Sequence, residues 1–147
     1  MMRVRFCVML FVATAGLMGA GEKYTAPATA AKGTNEQVIA YYFHGTMRCE
    51  TCQRIERHAR EVIEQRFKAE LAAKRLVFKP LNYDLPENAH FLQDYKLPCP
   101  SLVLVRRQAG KDEKWKLLAE TWQLVEDGTK FNRYVEDAVD KSLRDMK

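Results

Sequence analysis

The stretch "VIAYYFHGTMRCETCQRIE", residues 38–56, joins an apolar, aromatic run to a charged, helix-like segment through a short turn that ends in two cysteines three positions apart. Residues 38–43 are continuously apolar or aromatic over the length of a strand. This pattern predicts a strand covered on both faces, hence a central one. After the turn "HGTMR", Cys52, Ile55, Ala59, Val62, Ile63, Phe67 and Leu71 recur at three- and four-residue spacing. That spacing predicts one long helix opening at Cys49, with an apolar stripe against the sheet and its charges in water. The two cysteines, Cys49 and Cys52, fall at the strand-to-helix junction.

Downstream, "LVFKPLNY" at residues 76–83 predicts a second strand. Its Pro80 cannot donate to a ladder, so this strand is expected at an edge. "DLPENAHFLQDY" predicts a loop and a short helix, and residues 101–106 of "KLPCPSLVLVRR" a third strand behind two prolines. "QAGKDEK" reads as a turn leading to "WKLLAETWQLV", residues 115–125, as a fourth strand in a hairpin with the third. Phe131, Tyr134, Val135, Ala138, Val139 and Leu143 then mark a final helix. A strand, helix, strand unit makes its two strands parallel, and the hairpin adds antiparallel strands. The expected fold class is α/β, a mixed four-stranded sheet with helices on both faces.

The N-terminus reads differently. Arg3 and Arg5 precede the apolar run "FCVMLFVATAGLMGA", residues 6–20, which ends in small residues followed by polar "GEKYTAP". This is the pattern of a secretory signal peptide over residues 1–21, cut after Gly21, and it carries Cys7 away. The run is shorter than the roughly 20 residues a spanning helix needs; an uncleaved membrane anchor is the rival reading. Residues 22–36 are rich in Ala, Thr and small polar residues and predict a flexible tether, leaving residues 37–147 as the folded domain. The expected location is outside the cytoplasm, in a periplasm.

The 147-residue chain is long enough for a core without disulfide staples. Its net charge is +5 with 24 basic and 19 acidic residues; loss of Arg3 and Arg5 leaves 22 against 19, or +3. That balance argues against nucleic acid as a partner. The bases also alternate with acids in "RIERHAREVIEQRFKAELAAKR", residues 54–75, as on a solvated helix face.

Cys49, Cys52 and Cys99 remain after processing. Chance alone puts two of four cysteines three apart in about one such sequence in twelve, so spacing is a weak signal and placement strengthens it. A thiolate at the first turn of a helix faces unpaired N–H groups and the positive end of the helix dipole, both favouring the nucleophilic form. Cys49 takes that role, and Cys52, one turn inside and partly shielded, suits a resolving thiol. Glu50 and Arg48 act on the thiolate with opposite sign. His44 after the strand reads as a proton relay or a satisfied structural histidine.

Over residues 38–143 the chain resembles the thioredoxin-like superfamily. The features that carry the resemblance are "VIAYYFHGTMRCETC", then "PLNYD", then "YKLPCPSLVLV". It implies an exported thiol–disulfide oxidoreductase that acts on protein disulfides and dithiols, with no small-molecule cofactor and with a membrane thiol electron transporter as a partner. It also implies that Pro100 is cis and packs beside Cys49 and Cys52 as a third site residue. "YFHGTMRCETCQRIE" is similar to an exported subfamily labelled as a nitrophenyl-compound nitroreductase subunit. Departures are Glu50-Thr51 between the cysteines, Arg48 before them, and no acid among Tyr42, Phe43 and His44 to match the superfamily's buried proton shuttle.

Cys99, directly before Pro100, admits three readings: a small buried hydrophobe, a third thiol acting on the disulfide, or a third soft ligand. The last defines the alternative function, a Cu(I) or Zn binding module built on Cys49, Cys52 and Cys99, with His44 or Met47 as a further ligand. A structural adapter whose disulfide never turns over is a third reading.

Overall fold

A computed structural model describes residues 36–146; the expected leader and nearly all of the tether lie outside the described residues. Four strands form one sheet in the order β2-β1-β3-β4. They are β1 Glu36–His44, β2 Leu76–Asn82, β3 Ser101–Gln108 and β4 Lys111–Leu117. β2 runs parallel to β1, with Val38 opposite Leu76 and Tyr42 opposite Pro80. β3 runs antiparallel to β1, with Phe43 opposite Ser101, and β4 antiparallel to β3. The sheet is therefore mixed, and Pro80 sits on an edge strand, where its missing N–H leaves no inner ladder broken.

The unbroken apolar run of β1 has its explanation in the two cores it serves. Val38, Ala40 and Tyr42 pack on one face with Ile55, Ala59 and Ile63 of helix α1, Glu50–Arg66, and with Phe131, Val135 and Val139 of helix α5, Gly128–Arg144. Ile39, Tyr41 and Phe43 pack on the other with Val103, Val105 and Tyr95, against which the partly buried Phe91 of the short helix α3, Phe91–Asp94, is stacked. A strand buried on both sides has no face to give to polar residues. Helices cover both faces, as expected.

Three elements depart from the expectation. The single long helix is two: α1 ends where Phe67 leaves helical dihedrals (φ −118°, ψ 36°), and α2, Lys68–Ala72, continues beyond it. The break puts Phe67 into the core at 4% exposure, so burial outweighs helical continuity there. The third strand runs two residues past Arg106, and the turn contracts to Ala109-Gly110, with φ of +49° and +81°. Paired positive φ values are those of a primed hairpin turn, whose twist suits the strands it joins. β4 consequently starts at Lys111 and ends at Leu117, and Thr121–Leu124 of the expected fourth strand is a short helix, α4. Its Trp122 and Leu124 pack on the α1–α5 side of the sheet. No helix among the described residues is long and apolar enough to cross a membrane.

Candidate redox site

β1 delivers the chain to one pole of the sheet, and the turn at residues 45–48 is tied down there from β2. Tyr83 N donates to His44 O at 2.9 Å, Thr46 N to Asp84 Oδ2 at 2.6 Å, and Asn82 Nδ2 to Thr46 Oγ1 at 3.0 Å. Gly45 is buried, and a Cβ there would stand 3.1 Å from Asp84 Oδ2 and 3.4 Å from the Tyr83 ring. The absent side chain lets the turn close against the 83–84 segment.

Cys49 is the N-cap of α1, with extended backbone (φ −75°, ψ 157°), and its Sγ accepts the Cys52 N–H at 3.0 Å. A cap residue normally offers oxygen to that orphan donor; here sulfur does so. Cys49 and Cys52 form a disulfide with sulfurs 2.04 Å apart, Cys49 exposed and Cys52 only 4% exposed. The arrangement is a redox-capable pair with one sulfur open to attack and one sheltered by the fold.

From beneath, the fully buried Tyr42 donates its hydroxyl to Cys52 O at 2.6 Å. Burial pushes this phenol far above its usual range; Arg48 opposes the shift, and Glu56 and the Cys99 thiol add to it. Tyr42 is thus a fixed donor rather than a base. Beside it, Glu56 lies one turn beyond Cys52 with one oxygen on Arg48 and the other on Arg60 Nη2 at 2.9 Å. Burial raises this carboxyl, but the hydrogen bonds from Arg48 and Arg60 outweigh it and hold the group below the ordinary carboxylate value.

The β1–β3 register puts Pro100 and Cys99 immediately beyond Ser101, opposite the end of β1, and so at the pole that carries Cys49. Pro100 O accepts from Trp122 Nε1 at 2.8 Å, and Cys99 O from Ser101 Oγ at 2.7 Å. No peptide bond among the described residues is cis, so Pro100 is trans, contrary to the expectation. The tertiary amide favours trans by only ~0.5–1 kcal/mol, and both carbonyls of this loop find side-chain donors in the trans form. Cys99 is a free thiol of intermediate exposure, within electrostatic reach of the Tyr42 and Tyr83 phenols.

His44 Nδ1 lies 2.9 Å from Gly45 O, a contact in which the ring N–H donates. Met47, the other ligand considered for a metal, is 89% exposed. No group of three or more His, Cys, Asp or Glu among the described residues is placed to hold a metal ion. Cys49 and Cys52 spend their sulfurs on each other. Tyr42, Glu56 and Arg60 escaped the sequence reading as site residues. The signal for Glu56 was its position four residues after Cys52, which puts both on one helix face; for Tyr42 it was only the strand's alternation.

No family model matches this chain, and no curated protein matches it. The finer likeness to the nitroreductase-subunit subfamily therefore finds no support. Among solved structures the chain is similar to a thioredoxin from Thermus thermophilus determined in solution, at 21% identity over 61% of this chain and 72% of that one, with a TM-score of 0.36.

Proposed function

We propose that this chain is an exported thiol–disulfide oxidoreductase whose reacting group is the Cys49–Cys52 pair. The observation that carries the reading is the asymmetry of the pair: Cys49 is exposed at a helix N-cap, with the Cys52 N–H aimed at its sulfur, while Cys52 is buried. On reduction the same N–H and the helix dipole stabilise a Cys49 thiolate, the species that attacks disulfides.

In the reducing direction the Cys49 thiolate attacks one sulfur of a partner disulfide, and a mixed disulfide forms as the partner's other sulfur leaves as a thiolate. Cys52 then gives up its proton to water and attacks the Cys49 sulfur, reforming the intramolecular disulfide and expelling the partner's second thiolate. Two electrons pass to the partner, whose thiolates take up two protons. The oxidising direction is the same sequence reversed. Export rests on Arg3, Arg5 and the apolar run at residues 6–20. A membrane thiol electron transporter would re-reduce the pair if the chain works as a reductant.

The test is exchange with insulin or a small dithiol by the purified chain, alongside Cys49→Ser. Serine is itself a strong N-cap, so this substitution keeps the helix start and removes the nucleophile. Activity should be lost with the fold intact, and full activity in Cys49→Ser overturns the assignment.

A further inference from the structure

The N-cap position of Cys49 begins a stripe along α1. Residues 49, 53, 56, 57 and 60 follow one another at intervals of four, three, one and three, so they share a helix face. Arg48, Gln53, Glu56, Arg57 and Arg60 line a groove of about 480 Å³ on that face, which includes the residue directly before Cys49. Elsewhere on α1 the arginines are paired, in part at the expected spacing of four and in part with acids from other segments of the chain. Arg54 is paired with Glu126 and Glu50, and Arg66 with Glu136.

The groove is different. Glu56 is its lone carboxylate, only 15% exposed, and each of its oxygens is already bonded to an arginine, Arg48 or Arg60. Arg60 also lies over the Phe78 ring at 4.8 Å and within 3.8 Å of Glu64, at the far end of the groove. Arg57 is exposed and has no acidic partner among the described residues, and the buried Nε of Arg48 has no acceptor. Three guanidinium groups line the groove against Glu56, and with Glu64 beside Arg60 one positive charge, that of Arg57, is left over. Its free cation, Arg57, stands eight residues along the helix from Cys49, about 12 Å at 1.5 Å per residue. An extended chain covers that distance in about four residues.

We propose that this groove is the docking site for the partner's chain, and that it selects disulfides whose reacting cysteine is followed or preceded, about four residues away, by an aspartate or glutamate. The inference rests on the exchange reading above and names the substrate class for it. Arg57 pairs with the partner carboxylate, and the backbone of the intervening residues lies along Gln53 and Arg48. Arg57 acts by binding and steering, and takes no part in the bond exchange.

The experiment uses the reduced full chain and two synthetic disulfide peptides that differ at one position four residues from the cysteine, glutamate in one and lysine in the other. Hydroxyethyl disulfide, which lacks any flanking chain, is the third substrate. Second-order rates are read by stopped flow at low ionic strength and at about 1 M salt, where exposed charges are screened within ~3 Å. The glutamate peptide should react about tenfold faster than the lysine peptide at low salt, and the two should converge at high salt. In Arg57→Glu the ratio within the variant should fall to about one or invert; because a ratio is read, a change in overall rate does not affect it. Equal rates for the two wild-type peptides at low salt overturn the docking proposal alone, as does a ratio unchanged in Arg57→Glu. Failure to exchange even with hydroxyethyl disulfide overturns the exchange reading, and this proposal with it.

Discussion

Tyr42 carries a hydroxyl onto the face of β1 that packs against α1 and α5 and spends it on the carbonyl of Cys52, 2.6 Å away. That bond pins the first turn of α1 to the sheet from below, at the residue whose own N–H reaches the Cys49 sulfur. Tyr42→Phe keeps the ring and deletes the bond. The expected loss is about 1 kcal/mol, the usual net worth of a buried hydrogen bond, read as a lower urea midpoint with an unchanged slope. Glu56 is the other residue with a measurable signature. Its folded-state carboxyl is held below the ordinary value of 4.5, because the hydrogen bonds from Arg48 and Arg60 outweigh burial. A group depressed in the folded state contributes in full above its unfolded value, and that contribution is lost as pH falls through the folded one. Stability should therefore start to decline below about pH 4.5, and Glu56→Gln should flatten that part of the acid limb. Urea midpoints followed downward from neutral pH check this.

At the scale of elements, the β3–β4 hairpin shows where chain chemistry and geometry disagree. Its turn needs two residues with positive φ, and Gly110 supplies one at no cost while Ala109 holds φ at +49° against its own Cβ. An L-residue in the left-handed region pays roughly 1–2 kcal/mol, and asparagine far less because its side chain bonds locally. Ala109→Asn creates the Asn-Gly pair that such turns favour. Thermal unfolding should show a stabilisation of about 1 kcal/mol without any change in exchange activity, since the hairpin turn lies at the opposite end of β3 from Ser101 and the dithiol pole. The same element explains why the expected fourth strand stood too late in the chain. "KDEK" is charged enough to read as a loop, yet at an exposed edge strand charge is what keeps the edge from pairing with other chains.

Across the whole molecule, the dithiol sits at the pole of a sheet whose two cores make no use of it. The larger core is built from Val38, Ala40 and Tyr42 with α1 and α5, the smaller from Ile39, Tyr41 and Phe43 with Val103, Val105 and Tyr95. A disulfide closing so short a loop removes little entropy from the unfolded chain, no more than about 2 kcal/mol on the chain-entropy relation. The reduced protein should stay folded, with a urea midpoint lowered by roughly 1 M at most. A collapse of the fold on reduction would instead favour the reading in which the bond is a permanent staple. Such independence is what the proposed exchange requires, since the bond must open and close without unfolding.

The α/β order of elements, the central place of residues 38–43, the edge position of Pro80 and the placement of Cys49 at a helix start were all legible in the chain. Each follows from local periodicity or from what a single residue type cannot do, and such constraints act over a few positions. The break at Phe67, the short helix at Thr121–Leu124, the trans Pro100 and the Tyr42 contact with Cys52 were not. For the first three the deciding partner is distant in sequence, a core to be filled or a Trp122 donor; for the last it is the way the turn folds the Cys52 carbonyl back over Tyr42. The stripe of charges on α1 shows the division most sharply. Sequence determined that Arg57 lies on one face with Cys49, by helical spacing alone. The same spacing of four offers its neighbour Glu56 to Arg60, but only the tertiary structure decided that the other Glu56 oxygen is spent on Arg48, because that pairing depends on which side chain the turn before the helix brings within reach.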